Sequence, residues 1–273
     1  MTADKNSPIG VFDSGIGGLT VLKALTQTMP QESFIYFGDT ARVPYGTKSD
    51  PVVKQFALQD CFFLLKHNVK FIVIACNTAS SVALEFLQQR LSVPVIGVIE
   101  PGAKAALAAG KDNTIGVIGT TATIASGAYQ KALTALNPHV KIISRACPLF
   151  VPMVEEGLTG GEVPQVVIRH YLKNMRNIGS LILGCTHYPL LQKNIADYLG
   201  PEVTIVDSPF ATAAMVKNEL FQRGLISDSR KYAALRFFAS DVSPGFVEQS
   251  RRFFGGNLPE VEKVDFEVAD FWV

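Results

Sequence analysis

Short, mostly apolar runs alternate with longer amphipathic ones along the whole chain. The runs Ile9–Phe12, Phe34–Phe37, Phe71–Ala75, Val95–Val98, Ile115–Ile118, Lys141–Ser144, Leu181–Leu183, Val203–Val206 and Leu235–Phe238 have the length and β-branched content of buried strands. Between them, stretches such as Leu19–Thr28, Val52–Lys66, Ser80–Arg90 and Val163–Met175 carry a helical pattern. Pro94, Pro138, Pro201 and Pro209 punctuate the joins. Strands that alternate with helices predict βαβ units. The fold class is therefore α/β, with mostly parallel sheets flanked by helices.

The pattern repeats internally. Ile9–Ser14 resembles Ile115–Thr120, and Glu100–Ala106 resembles Ser208–Ala214. Asp13 to Gly119, Cys76 to Cys185 and Glu100 to Ser208 share one nearly constant offset. The period is too long for a solenoid. It reads as a duplicated α/β half, giving two similar domains related by a pseudo-twofold. One is discontinuous and comprises 1–98 plus 208–273. The other is 99–207, and a site between them receives one cysteine from each.

Composition narrows the functional classes. The 273 residues are 48% hydrophobic and 18% charged, as an ordinary globular core requires. The formal net charge is +1, from 25 Lys+Arg against 24 Asp+Glu, so no nucleic-acid partner is indicated. No run approaches a membrane span, and Met1–Ser7 is polar, so the expectation is a cytoplasmic protein with no membrane partner. The 4 Cys show no C-x-x-C spacing and no metal-type cluster with His.

The candidate chemistry sits at strand ends. Cys76 follows the run Phe71–Ala75 and precedes Asn77-Thr78. Cys185 follows Leu181–Gly184 and precedes Thr186-His187. Open α/β sheets bind ligands at such corners. A helix start there lowers a thiol's pKa and raises its thiolate fraction. Cys61, inside an apolar helical pattern, and Cys147, before Pro148, read as structural. Two equivalent thiols suit the transfer of a proton from one face of a carbon to the other. His187 beside Cys185 is a candidate acid/base partner. Asp13 heads the glycine-rich turn Asp13–Gly18, which suits close approach of an anion but lacks the third glycine of a dinucleotide fingerprint. The connector Gly38–Gly46 is a candidate binding loop. Three readings stay open on residues alone: a racemase, a hydrolase with one cysteine nucleophile, and a two-lobed binding protein.

Taken together, these motifs closely resemble the glutamate racemases of the aspartate/glutamate racemase superfamily. The matching stretches are Gly10–Val21, the Gly38–Gly46 loop, Ala75–Ser80, Val117–Thr123, Ser126–Tyr129, Phe150–Gly157 and Gly184–Leu190. The resemblance implies two α/β domains around one active site, glutamate as the small-molecule substrate, no cofactor, no metal and a role in peptidoglycan synthesis. It implies Cys76 and Cys185 as the acid/base pair, assisted by Asp13, His187 and Glu155, with Glu156 the competing choice for Glu155. It implies substrate contacts from Asp13, Ser14, Pro44, Tyr45, Gly46, Asn77, Thr78, Thr120, Thr123, Thr186 and His187. A homodimer and a sister activity on aspartate stay open.

Overall fold

In the computed structural model, residues 4–110, 113–175, 177–229, 233–256, 258 and 260–265 are described. The strands are β1 (Ile9–Asp13), β2 (Phe34–Gly38), β3 (Phe71–Ile74), β4 (Val95–Gly97), β5 (Thr114–Gly119), β6 (Lys141–Ala146), β7 (Ser180–Gly184), β8 (Thr204–Val206), β9 (Leu235–Ala239) and β10 (Val261–Lys263). The helices are α1 (Leu19–Thr28), α2 (Asp50–Lys66), α3 (Asn77–Gln88), α4 (Ile99–Ala109), α5 (Thr121–Ala125), α6 (Ala128–Leu136), α7 (Phe150–Glu155), α8 (Glu162–Leu172), α9 (Gln192–Leu199), α10 (Pro209–Gln222) and α11 (Phe246–Phe254).

Two sheets form, in the orders β10-β9-β2-β1-β3-β4 and β6-β5-β7-β8, and the pairings within them are parallel. The order β2-β1-β3-β4 in one sheet matches β6-β5-β7-β8 in the other, so the internal repeat is a repeat of topology. Every residue of β1, β2, β3 and β7 is buried. Helices on both faces leave such strands no solvated side, which explains their unbroken apolar runs. The chain after Pro209 returns to the first sheet: β9 pairs with β2, and α10 and α11 both pack on α1. Residues 266–273 of the first predicted domain lie outside the described residues.

Several boundaries move by a few residues. The helix read from Ser80 begins at Asn77, because the Cys76 sulfur accepts the Ala79 N–H at 3.5 Å and so caps it. The helix read over Val163–Met175 spans Glu162–Leu172. No strand is predicted over the edge strand β10, where Glu262 and Lys263 are exposed and three residues carry no period-2 signal. Among the described residues, no helix is long and apolar enough to cross a membrane.

In each sheet the chain leaves the first strand toward one side and crosses to the other, making a switch point between β1 and β3 and another between β5 and β7. Crevices open at the carboxyl ends of such strands. Asp13 ends β1 and Cys76 follows β3; Thr120 follows β5 and Cys185 follows β7.

Candidate active site

In the first half, the glycine-rich turn wraps around Asp13. This carboxyl is fully buried and its Oδ2 accepts the Gly15 N–H at 3.0 Å. Its Oδ1 has no hydrogen-bond partner. Burial pushes the Asp13 carboxyl above its ordinary range, against the pull of His187 and the N–H groups of Gly18, Gly15 and Ser14. The glycine at 18 is a packing requirement, since a Cβ there would lie 2.8 Å from Cβ of Ala75. The Cys76 thiol donates to Ser14 Oγ at 3.5 Å.

The expectation that a helix start depresses both thiol pKa values does not survive for Cys76. Burial, and next the Asp13 charge, push its thiol up to about 12, outweighing the Ser14 and Ala79 contacts. Cys185 does not meet an α-helix directly. A 3-10 turn over Tyr188–Leu191 intervenes, and α9 starts only at Gln192.

In the second half, Cys185 Sγ lies 4.0 Å from Nδ1 of His187, and Nε2 of that ring lies 3.1 Å from Glu155 Oε1. Glu155 makes this contact and Glu156 does not, because Glu155 closes the last turn of α7 while Glu156 caps it. Burial disfavours the charged imidazole, but Cys185 and Glu155 outweigh it and push His187 up to about 10. The ring is held from the other half as well. Phe253 of α11 meets it edge-on at 5.1 Å, and Gln249 Nε2 donates to the Glu155 carbonyl at 3.3 Å.

The two halves join through hydroxyls and an amide. Thr78 Oγ1 lies 2.9 Å from Thr120 Oγ1 and 3.3 Å from Thr123 Oγ1. The buried Tyr129 hydroxyl donates to Asn77 Oδ1 at 2.7 Å. These contacts border a narrow cavity of about 30 Å³. Ser14, Pro44, Tyr45, Gly46, Cys76, Asn77, Thr78, Thr120, Glu155, Cys185, Thr186 and His187 line it. Asp13 and Thr123 do not line it; each adjoins a lining residue, Asp13 in sequence to Ser14 and Thr123 by hydrogen bond to Thr120.

Tyr45 departs from a simple side-chain contact. Its hydroxyl bonds Asp39 and Asp60. Val43 and Val151 also line the cavity and were not singled out; a lone valine carries no sequence signal for a site. Tyr129 and Phe253 were missed because only the meeting of the two halves brings them there. All four cysteines are free thiols, with Cys61 and Cys147 inside apolar clusters. Among the described residues, no group of three His, Cys, Asp or Glu is placed to hold a metal ion. A larger groove of about 880 Å³ lies between β4, α4 and α10, and neither cysteine nor histidine lines it.

Hydroxyls, backbone and a thiol from each half thus surround one small space. The sequence matches the Asp/Glu/Hydantoin racemase family over residues 9–216. A glutamate racemase of Geobacter metallireducens is 51% identical over 261 residues, covering 95% of this chain and 97% of that one. The crystal structure of a Francisella tularensis glutamate racemase in complex with D-glutamate superposes with a TM-score of 0.89 at 41% identity, over 96% of this chain and 98% of that one. A glutamate racemase of Bacillus anthracis superposes with a TM-score of 0.91 at 41% identity over the same shares. The chain belongs to the Asp/Glu/Hydantoin racemase family.

Proposed function

We propose that the chain interconverts L- and D-glutamate by passing a proton between two cysteines, and so supplies D-glutamate for peptidoglycan synthesis in the cytoplasm. The observation that carries this reading is that Cys76 and Cys185, from equivalent corners of a repeated topology, line one enclosed cavity as free thiols.

The chemistry is balanced within these residues. With L-glutamate, a Cys185 thiolate takes the Cα proton while the Cys76 thiol gives its proton to the opposite face. The enzyme is left with a Cys185 thiol and a Cys76 thiolate. The reverse assignment serves D-glutamate. The developing enediolate is stabilised by hydrogen bonds from Asn77, Thr78 and Thr186 in a water-poor space. The reading needs no cofactor. His187 stands beside Cys185 as its acid/base partner, and Glu155 holds the imidazole in place. Asp13 stands in the Cys76 half, buried behind the cavity wall, and assists from there. We assign the working units as 1–98 plus 208–273 and 99–207, with the substrate between them.

The test is incubation of the protein with L-glutamate in D2O. Exchange of the Cα hydrogen together with decay of optical rotation supports the reading. Neither event with glutamate, or equal rates with aspartate, overturns it.

A further inference from the structure

A buried polar cluster next to the cavity has no part in the chemistry above. Asp39 leaves β2, Arg42 sits in the following 3-10 turn, and Asp60 lies inside α2. Asp39, Asp60 and Tyr45 are buried and Arg42 is largely so. Asp39 Oδ2 accepts from Arg42 Nε at 2.6 Å and from the Tyr45 hydroxyl, while Oδ1 accepts from Ser240 Oγ at 2.9 Å. Asp60 Oδ1 accepts from Arg42 Nη2 at 3.0 Å, and its Oδ2 lies 3.0 Å from the Tyr45 hydroxyl.

Proton counting identifies the state of this cluster. A phenol has one proton, and Tyr45 gives it to Asp39. The second contact then needs a proton from Asp60. The charges agree. Two ionised carboxylates around one guanidinium would leave a buried net negative charge, which is costly. Burial and the neighbouring Asp39 hold the Asp60 carboxyl well above the carboxylate range in spite of Arg42. Arg42 bonds both carboxyls, and Asp60, the one held above the carboxylate range, is the candidate for the extra proton.

The cluster bears on the cavity through one residue. Tyr45 and Gly46 line the cavity, and a Cβ on Gly46 would lie 2.7 Å from Cβ of Thr120 in the other half. There is little slack for this segment to shift. We propose that Asp39 and Asp60 are positioning residues for substrate: through the Tyr45 hydroxyl they set where the Tyr45–Gly46 backbone enters the cavity, and Asp60 acts as a neutral donor. The inference rests on the reading of the cavity as a glutamate site.

The test compares the full-length wild type with Asp60→Asn, Asp60→Ala, Asp39→Asn and Tyr45→Phe in steady-state racemisation of glutamate, with thermal melting of each in the presence and absence of glutamate. An amide at 60 keeps both a donor for Tyr45 and an acceptor for Arg42, so Asp60→Asn is expected within about twofold of wild type in KM. The other three are expected to raise KM by roughly five- to tenfold, the scale of one lost hydrogen bond, with a smaller fall in kcat and a reduced glutamate-induced Tm shift. A cluster that merely stabilised the fold would lower Tm and leave KM in place. Unchanged KM in Tyr45→Phe and Asp60→Ala overturns the positioning role. Asp60→Asn as damaging as Asp60→Ala overturns the neutral donor. If Asp39→Asn fails to fold, Tyr45→Phe and the Asp60 pair decide. A wild type inactive on glutamate strikes the functional reading instead, and shows before any variant is made.

Discussion

Gly17 and His187 come from opposite halves and meet so closely that a methyl group on Gly17 would lie 2.8 Å from Nδ1 of the imidazole, with Thr186 Oγ1 nearer still. Gly17 has no unusual backbone angle. The position tolerates no side chain because two halves close there. Gly17→Ala is therefore expected to hold the halves apart in the closed state. A misplacement of about 1 Å at a reacting centre costs on the order of a hundredfold in rate. Steady-state kinetics should show that loss in kcat/KM, while Tm stays close to wild type because no core residue changes.

The paired thiols make a sharp demand. Cys76→Ala and Cys185→Ala should each reduce racemisation by at least about a thousandfold, within the range for loss of a positioned acid or base. Circular dichroism and melting should remain near wild type, since both thiols face the cavity. Full activity in either single variant would sink the two-thiol mechanism.

Assistance should be unequal. Asp13 stands in the Cys76 half and His187 in the Cys185 half. Asp13→Asn should slow proton removal from D-glutamate more, and His187→Asn removal from L-glutamate more, each by about ten- to a hundredfold. The overall equilibrium constant binds the two directions, so KM must shift in compensation. Measuring kcat and KM both ways checks this; equal losses in both kcat values for both variants would count against separate roles.

His187 also links stability to pH. Its folded pKa is raised to about 10 from the ordinary 6.5. The protonated form is therefore favoured by folding, and its contribution is fully present below the unfolded value. It fades as pH rises from about 6.5 and is gone above about 10. The stability gap between wild type and His187→Asn, measured by urea titration, should shrink across that window. A gap that widens with pH would mean that the imidazole is buried neutral.

Substrate length should matter. Segment 44–46 lines the cavity, and a dicarboxylate one methylene shorter reaches less far across it. One methylene is worth about ten- to two-hundredfold in such a pocket. Glutamate should exceed aspartate in kcat/KM by at least about tenfold. Comparable values would move the assignment to the sister activity.

Much of this architecture was legible from residues alone. Runs such as Phe71–Ile74 and Leu181–Leu183 are buried on both faces, so their apolar character is a local property of each segment. The equivalence of Cys76 and Cys185 was legible because duplicated halves repeat their corners in sequence as well as in space. What needed the tertiary structure was everything set by one half meeting the other or by the chain's return. Phe253 reaches His187 only because α11 packs back on α1. Glu155 rather than Glu156 meets the imidazole because Glu155 closes the last turn of α7. The Tyr45 hydroxyl turns to Asp39 and Asp60, which pattern cannot reveal, since Asp60 is a lone carboxyl buried among apolar residues of α2. The Cys76 thiol is raised rather than lowered because burial beside Asp13 outweighs the helix start. Periodicity and turn chemistry act over a few residues and are written locally. Desolvation and electrostatic neighbours are sums over whatever the fold brings near, and only the folded chain decides them.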